Sequence, residues 1–289
     1  MAQKSSPSLP SNDDPVTENL VLADRAQDDT ALTIDQTWAR MRLEAATNAG
    51  LEPSLASFLH ATILNHNSFR AALSYRLAQK LSDAEMNPMV WREVISGAFD
   101  DQPDIVHAAH ADLIACFDRD PATFEYVQPF LYHKGYQGLQ VQRLANWLWR
   151  HDRRSLALYV QSRMSELYGI DIHPHASFGQ GVFIDHATGV VIGETTIVED
   201  NVSILQSVTL GGTGKDSGDR HPKIRAGALI SVGAKVLGNI EVGAGAKVAA
   251  GSVVLKDVPA GCTVAGVPAK LVGDCASCAP ATTMDQGLD

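Results

Sequence analysis

The sequence predicts an all-α domain followed by a parallel β-helix, and two periodicities indicate this fold class. Between residues 35 and 168, apolar residues recur at the three- and four-residue spacing of amphipathic helices. After Gly169 this spacing ends, and an aliphatic residue or phenylalanine recurs every six residues as far as Val254. A six-residue period is typical of a triangular solenoid, in which each hexad forms one short strand and one corner.

Residues 1–34 are a polar, acidic leader, which we expect to be mostly disordered. The chain has 289 residues, of which 45% are hydrophobic, and a net charge of −10. It lacks the clustered basic residues that nucleic-acid binding requires. It also lacks the ~18 apolar residues in a row that span a membrane and the apolar core of a signal peptide. We therefore expect a cytoplasmic protein without nucleic-acid or membrane partners.

Caps and apolar stripes delimit the helices of residues 35–168. Ser68 is the expected N-cap of a helix that begins at Phe69, and Asn87-Pro88 precedes the next helix. Further helical stretches follow Pro103 and continue to Tyr168. Helices joined by short polar turns predict an all-α domain.

The hexad repeat predicts a β-helix over residues 169–273. The register is interrupted by a two-residue insertion before Ile192 and by a polar excursion, residues 211–223, that adds eight residues. Small residues often follow the repeat position, as tight corners require. We expect a little over four coils and, after them, a flexible tail over residues 274–289. The thirteen repeat positions are Ile172, Phe178, Ile184, Ile192, Val198, Ile204, Leu210, Ile224, Ile230, Val236, Val242, Val248 and Val254.

The four cysteines are too few for a disulfide framework in a chain of this length. They are Cys116, Cys262, Cys275 and Cys278. We expect them to be reduced. Cys275 and Cys278 form a lone C-x-x-C pair, which cannot complete a four-ligand zinc site.

Polar residues that interrupt the repeat are the candidates for chemistry. The excursion contains Arg220 and His221, and insertions in repeat proteins usually form the binding face. With 18 residues per coil, the position above Asp171 is residue 189, so Asp171 and His186 can share one corner. A carboxylate beside an imidazole orients the ring and raises its basicity, as deprotonation of a hydroxyl requires.

Several segments resemble a known enzyme family. The hexads are similar to the left-handed β-helix of hexapeptide-repeat acyltransferases, and the handedness comes from this resemblance. The segments DIHPHASFGQGVFIDHATGVVIGET, SILQSVTLGGTG, DRHPKI and AGVPAKLVG, with FDRDPA in the helical region, resemble serine O-acetyltransferases of the cysteine-synthesis pathway. The resemblance covers roughly residues 35–273.

The resemblance implies a set of catalytic residues. It makes His186 the general base for the serine hydroxyl and Asp171 its partner, and it places His221 close to the hydroxyl and the developing oxyanion. Transfer from the thioester is direct, so no nucleophilic serine or cysteine is needed. Backbone N–H groups of residues 211–214 are candidates for binding the oxyanion.

The resemblance also implies residues that bind the charged groups of serine. It assigns the carboxylate to Arg220 and the ammonium to Asp120 and Asp185. This assignment fits the chemistry, because a planar guanidinium can bind a carboxylate with two hydrogen bonds.

The implied donor is acetyl-CoA, which by resemblance lies in the groove between adjacent β-helices. Val232 stands where alanine is more usual in the family. No metal is expected. The candidate cofactor-binding residues are Gly212, Thr213, Val232, Lys247, Ala250 and Lys270.

The resemblance extends to partners. It implies a trimer in which Arg220 and His221 of one chain face His186 of its neighbour, and pairing of trimers through the helical domain. L-cysteine resembles serine, so we expect it to be a feedback inhibitor at the same contacts. The family commonly docks a C-terminal isoleucine into O-acetylserine sulfhydrylase. This sequence ends with Leu288-Asp289, which puts that complex in doubt.

Three alternatives stay open at the level of sequence. His173-Pro174-His175 is compatible with a zinc hydro-lyase like the γ-class carbonic anhydrases, which needs three converging imidazoles. Arg220 beside His221 would repel a metal ion and suits an anionic group better. The other two alternatives are an O-acetyltransferase for another small molecule and a solenoid scaffold without activity.

Overall fold

The computed structural model describes residues 32–214, 217–273, 275 and 279–287. Residues 1–31 of the predicted leader therefore lie outside the described residues. The helical domain comprises α1 (Ile34–Leu51), α2 (Ala56–Leu59), α3 (Phe69–Leu81), α4 (Pro88–Asp101), α5 (Asp104–Arg119), α6 (Val127–Tyr132), α7 (Lys134–Arg150) and α8 (Arg154–Tyr168), with a 3-10 turn at Pro53–Leu55 and a π-helical turn at His60–Leu64.

Side-chain caps determine where several helices begin. Thr33 accepts from the backbone N–H of Gln36 and forms a capping box that begins α1. Ser68 and Asn87 cap α3 and α4, as the sequence predicts. Gly169 ends α8 in the left-handed conformation, with φ of 66°, and the chain passes directly into the β-helix.

The β-helix has three sheets, and its strands are numbered in chain order. Sheet A comprises β1 (Ile170–Ile172), β4 (Val190–Ile192), β7 (Thr209–Gly211), β10 (Lys235–Leu237) and β13 (Val253–Val254). Sheet B comprises β2 (Ser177–Phe178), β5 (Ile197–Val198), β8 (Lys223–Ile224) and β11 (Glu241–Val242). Sheet C comprises β3 (Phe183–Ile184), β6 (Ser203–Ile204), β9 (Leu229–Ile230), β12 (Lys247–Val248), β14 (Thr263–Gly266) and β15 (Ala269–Val272).

The fold class predicted from the two periodicities is confirmed. Successive coils pair in parallel, and only the final pair, β14 with β15, is antiparallel among the strand pairs of the described residues. Twelve of the thirteen repeat positions are buried with at most 3% exposure, and Phe178 is partly buried. The repeat residues therefore form the inner core of the triangle.

One register prediction was wrong. Asp171 pairs with Val191, not with residue 189, because the two-residue insertion before Ile192 lengthens the first coil. The next coil has the ordinary length, since Ile192 pairs with Leu210. The corner that contains His186 therefore has two more residues than a regular corner.

A buried ion pair joins the helical domain to the first coil. Asp112 of α5 is fully buried, and its Oδ2 accepts from Nη2 of Arg143 in α7 at 2.7 Å. Its Oδ1 accepts from the backbone N–H of Val182 at 2.9 Å. Arg143 in turn donates to the carbonyl oxygens of Phe178 and Gly179. Charge-assisted hydrogen bonds thus fix the two domains against each other.

The described C-terminal residues contact the β-helix, and flexibility of residues 274–289 stays a prediction. The short helix α9 (Pro280–Thr283) lies against sheet C, where the Ala281 carbonyl accepts from Ser203 Oγ at 2.7 Å. The expectation of reduced cysteines was wrong for Cys262 and Cys275, which form a disulfide. Cys116 is free and buried, and Cys278 lies outside the described residues.

Candidate active site

His186 lies at a corner between sheets C and A, formed by residues 185–189. Its backbone is left-handed, with φ of 53°, and so is that of Ala187, with φ of 61°. Ala187 is completely buried while the His186 side chain is 71% exposed. Two consecutive residues in this conformation are strained, and the result is an imidazole that projects into solvent.

Helix α7 begins directly beside this corner. A Cβ on Gly135 would lie 1.9 Å from the carbonyl oxygen of Ile184, so only glycine permits this approach. Lys134 donates to the hydroxyl of Thr188 from the same turn of the helix. The helical domain therefore supports the corner from one side.

The carboxylate of Asp185 lies beside the His186 imidazole, and that of Asp120 lies near Asp185. The Nε2 atom of His186 lies 3.7 Å from Oδ2 of Asp185. Burial raises the pKa of Asp185, and the nearby carboxylate of Asp120 adds to that increase. The half-buried His133 faces the same carboxylates, and burial lowers its pKa. The site therefore combines an exposed imidazole with two acidic groups suited to an ammonium ion.

Asp120 is held in place at the C-terminal end of α5. Its carboxylate accepts from the backbone N–H of Ala122 and from the hydroxyl of Thr123, both at 2.8 Å. The preceding residue, Arg119, donates to Ser203 Oγ at 3.1 Å on β6. The end of the helix is thus anchored to the second coil, next to the His186 corner.

Asp171 has another partner in the single chain. It lies on β1, and its Oδ1 accepts from Nε2 of Gln161 in α8 at 2.7 Å. The carboxylate closest to His186 is that of Asp185. Pairing of Asp171 with His186 stays a prediction.

Arg220 and His221 lie at a different corner, between sheets A and B, against residues of the coil below. Arg220 Nη2 donates to Glu194 Oε2 at 2.8 Å, and its Nη1 donates to the Gly218 carbonyl at 3.0 Å. Thr195 contacts the Nδ1 atom of His221 through its hydroxyl at 2.9 Å and its backbone N–H at 3.2 Å. The polar excursion therefore folds back onto Glu194 and Thr195.

The His221 ring is 7% exposed and packs against two glycines. A Cβ on Gly193 would lie 2.0 Å from Nε2 of His221, so a side chain there would displace the ring. A Cβ on Gly212 would lie 3.4 Å from the same atom. Burial lowers the pKa of His221, and the positive charge of Arg220 lowers it further.

One chain does not bring the two histidines together. His186 comes just before strand β4 in the chain. Glu194, which forms the ion pair with Arg220, comes just after the same strand. The corners that contain His186 and His221 are therefore at opposite ends of sheet A. We call the stack of corners between sheets C and A the His186 edge, and the stack between sheets A and B the His221 edge.

The candidate cofactor-binding residues are divided between these edges and sheet C. Val232 and Ala250 are stacked on the His186 edge, because the Gly251 N–H donates to the Val232 carbonyl. Gly212 and Thr213 lie on the His221 edge. Of the two, Gly212 lies next to Nε2 of His221. These four candidates therefore lie on two separate edges of the β-helix.

The two candidate lysines are elsewhere. Lys247 lies on β12 of sheet C, where its Nζ donates to Asp285 Oδ2 at 3.2 Å and to the Gly287 carbonyl at 2.5 Å. Lys270 is exposed on β15. The structure thus places these ammonium groups apart from the other cofactor candidates, and Lys247 is bound by the C-terminal residues.

The two histidines considered for zinc have aromatic and backbone contacts. The ring of Trp149 lies 4.9 Å from that of His173 and 6.2 Å from that of His175. His173 Nδ1 accepts from the backbone N–H of His175 at 3.1 Å. Among the described residues of this chain, no group of three or more His, Cys, Asp or Glu side chains is arranged to hold a metal ion.

Sequence reasoning missed three residues of these sites. Glu194 and Thr195 bind the Arg220-His221 pair, and His133 faces the carboxylates near His186. Polar residues are common at hexad corners, so the sequence pattern does not single out Glu194 or Thr195. The one feature of the sequence that could have pointed to Glu194 and Thr195 is their position directly after Gly193, one coil before the excursion.

Together, the fold and these two sites define a β-helix enzyme for a small substrate with both charges. Comparisons with known proteins identify its family. The family model described as "Serine acetyltransferase, N-terminal" matches residues 37–141. The serine acetyltransferase of Salmonella typhimurium is 53% identical over 249 residues, which are 86% of this chain and 91% of that protein.

Solved structures agree with this result. The serine acetyltransferase of Vibrio cholerae has a TM-score of 0.87 and 56% identity, covering 88% of this chain and 99% of that one. A serine acetyltransferase complex with cysteine has a TM-score of 0.87 and 49% identity, covering 88% and 99%. The Brucella abortus enzyme in complex with coenzyme A has a TM-score of 0.81 and 50% identity, covering 83% and 96%. The chain belongs to the serine acetyltransferase family, and this similarity does not support the zinc hydro-lyase alternative.

Proposed function

We propose that the chain transfers the acetyl group of acetyl-CoA to the hydroxyl of L-serine, giving O-acetylserine for cysteine synthesis. The observation that supports this most directly is the exposed His186 imidazole beside Asp185 and Asp120 in a member of this family. An imidazole can remove the hydroxyl proton, and the carboxylates can bind the substrate ammonium.

In the proposed reaction, His186 takes the proton from the serine hydroxyl as the oxygen attacks the thioester carbonyl carbon. The resulting tetrahedral oxyanion collapses, the carbon–sulfur bond breaks, and the CoA thiolate leaves and is protonated by His186. Arg220 binds the serine carboxylate, and Asp171 is proposed to orient the base. A positioned base typically contributes ~10² to 10⁴ in rate.

The donor is proposed to lie between the His186 edge of one chain and the His221 edge of the next. Ala250 on one edge and Gly212 on the other present little bulk to its pantetheine arm, and Val232 and Thr213 lie beside the arm on the same two edges. The coenzyme A complex of the Brucella abortus relative supports this choice of cosubstrate. Lys270 is exposed and can meet the phosphates, whereas Lys247 would first have to leave Asp285.

His186→Ala tests the proposal. We expect kcat to fall by about 10²-fold or more, because removal of the base leaves binding and oxyanion stabilisation only. Release of CoA thiol from acetyl-CoA is measured with L-serine and with other hydroxy amino acids. The control is His60→Ala, which removes an exposed histidine of the helical domain. Near-normal turnover by His186→Ala would exclude this residue as the base.

We also propose a trimer formed through the β-helix and a dimer of trimers formed through the helical domain, residues 35–168. The support is the separation of His186 from Arg220 and His221 within one chain, since a site that uses all three needs a second chain. Mass in solution distinguishes the monomer, trimer and hexamer.

L-cysteine is the proposed feedback inhibitor. It has the ammonium and carboxylate of serine, and the solved relative with cysteine supports its binding in this family. We expect competition with serine, because both would use Asp120, Asp185 and Arg220. Inhibition that serine cannot overcome would contradict a shared site.

Two further expectations remain proposals. Titration with O-acetylserine sulfhydrylase tests whether that complex forms. None of the described helices has the length and apolar character needed to cross a membrane. We propose a cytoplasmic location, which fractionation of the producing cells would test.

A further inference from the structure

The hydroxyl of Thr195 is at the centre of the contacts that hold His221. The backbone N–H groups of Arg220 and His221 both donate to Thr195 Oγ1, at 3.0 and 3.1 Å. The same oxygen lies 2.9 Å from Nδ1 of His221. The backbone N–H of Thr195 also donates to Nδ1, at 3.2 Å.

The hydrogen-bonding capacity of these groups determines which ring nitrogen is protonated. A hydroxyl has two acceptor lone pairs and one proton. The two backbone N–H donors use both lone pairs of Thr195 Oγ1, so its proton is left to donate. Two acceptors are within reach of that proton, Nδ1 of His221 and the carboxylate of Asp219. The backbone N–H of Thr195 can only donate, and it donates to Nδ1 of His221, so Nδ1 is an acceptor whichever way the hydroxyl proton points. Nδ1 therefore bears no proton, and the neutral ring has its proton on Nε2.

The protonated nitrogen faces the part of the site where transfer is proposed. Nε2 lies against Gly193 and Gly212, and Gly212 belongs to the loop assigned to the thioester. Burial and the charge of Arg220 lower the pKa of His221, which favours the neutral ring. A neutral imidazole with a proton on Nε2 donates a hydrogen bond and cannot accept a proton at that atom.

We propose that Thr195 is a positioning residue that holds His221 as the Nε2–H tautomer, so that His221 donates a hydrogen bond to the reacting oxygen and is not a second base. The proposal rests on the proposed function, because it assumes that His221 faces the substrate. It assigns the proton transfer to His186 alone.

A pair of substitutions at Thr195 tests the positioning. Thr195→Val keeps the shape but removes the hydroxyl, whereas Thr195→Ser keeps the hydroxyl. We expect Thr195→Val to lower kcat by about 10- to 100-fold, as loss of alignment typically does, with a much smaller change in KM for L-serine. Thr195→Ser is expected to retain most of kcat. Equal kcat in the two variants, or a loss confined to KM, would overturn the proposal.

Substitutions of His221 separate a donor from a base. The side-chain amide of glutamine can donate from about the position of Nε2 but cannot act as a base at neutral pH. We expect His221→Gln to exceed His221→Ala in kcat by about 10-fold, which is a partial recovery of the ~10² to 10³ that one oxyanion donor supplies. Equal loss in both variants would overturn the donor role.

The tautomer itself is measurable without turnover. Solid-state NMR of the protein labelled with 15N-histidine distinguishes a protonated from an unprotonated Nδ1, and loss of one signal pair in His221→Gln assigns His221. We expect an unprotonated Nδ1 in the wild type. A protonated Nδ1 would overturn the proposal even if the enzyme acts as proposed. Normal turnover by His221→Ala would instead overturn both its role in the proposed function and the donor role.

Discussion

At the scale of single residues, Glu44 in α1 shows most clearly how burial disfavours the charged form of a carboxylate. Its side chain is 10% exposed, and one carboxylate oxygen accepts from the backbone N–H of Val127 at 3.0 Å. The nearest cation, Arg40, is 3.6 Å away. Burial raises the pKa of Glu44 from 4.5 to about 7, because these contacts do not compensate for lost hydration.

This pKa predicts how stability varies with pH. Between pH 4.5 and about 7 the folded chain retains a proton that the unfolded chain has released. The free energy of unfolding therefore falls as pH rises through this range, by about 3 kcal/mol at most. Glu44→Gln removes this dependence, so we expect it to stabilise the protein at pH 8 and to have little effect near pH 5.

Denaturant midpoints of the wild type and the variant at both pH values measure the effect. The control is Glu93→Gln, which changes an exposed carboxylate of α4. The prediction would be wrong if Glu93→Gln raised the free energy of unfolding at pH 8 as much as Glu44→Gln does. It would also be wrong if Glu44→Gln did not raise it, because ionised Glu44 would then not destabilise the folded chain.

The sequence predicted only part of the site at this scale. His186 and Arg220-His221 could be singled out because charged or imidazole side chains interrupt an apolar repeat. Thr195 could not, since a threonine at a hexad corner is ordinary. Its importance depends on which part of the excursion folds onto it, and that contact spans 26 residues of sequence. Likewise, the approach of Asp120 to His186 depends on how two domains dock.

At the scale of elements, the six-residue period located the strands because each inward residue must be apolar. The period could not reveal the antiparallel turn from β14 to β15, which leaves the repeat altogether. It also could not predict that α9 covers sheet C. That contact depends on the polar Ser203 and Lys247, which face outward on their strands and bind the C-terminal residues.

The Cys262–Cys275 disulfide predicts a redox-dependent attachment of these C-terminal residues. The bond closes a short loop, with a sequence separation of 13, and contributes about 3 kcal/mol to holding it closed. After reduction, only contacts such as Ser203 to Ala281 hold the segment. We therefore expect dithiothreitol to accelerate proteolytic cleavage after residue 273, while the β-helix stays resistant.

Mass spectrometry of the fragments over time measures this cleavage. Cys275→Ser should be cleaved at the fast rate with or without dithiothreitol, which makes it the matched control. Equal cleavage rates for the oxidised and the reduced wild type would contradict a holding role for the disulfide.

At the scale of the whole molecule, sheet A separates the proposed catalytic residues into two groups. His186 precedes β4 and Arg220 is bound by Glu194 after it, so the two groups are at opposite edges of the prism. A solenoid cannot bend to bring its own edges together, because its inner core is packed with the buried repeat residues. The family resemblance already implied that these residues face each other from different chains, and the coil register gives the physical reason why one chain keeps them apart.

This division makes a prediction about mixed assemblies. If each site uses His186 of one chain and His221 of its neighbour, then inactive His186→Ala and His221→Ala chains should complement each other. In trimers assembled at random from equal amounts, about one quarter of the sites would combine two intact halves. Chains that build the whole site alone would give no activity on mixing.

The experiment is co-expression of the two variants with different affinity tags and purification through both tags, which retains mixed assemblies only. We expect turnover far above that of either variant alone, and about one third of wild-type kcat, because each mixed trimer has one site of three that combines two intact halves. The matched control co-expresses His186→Ala with a second tagged copy of His186→Ala. Because no partner can supply the missing imidazole in that pair, it should stay inactive. Mixed assemblies that form but remain as inactive as this control would show that the two edges do not meet across a chain boundary, and the proposed shared site would then be wrong.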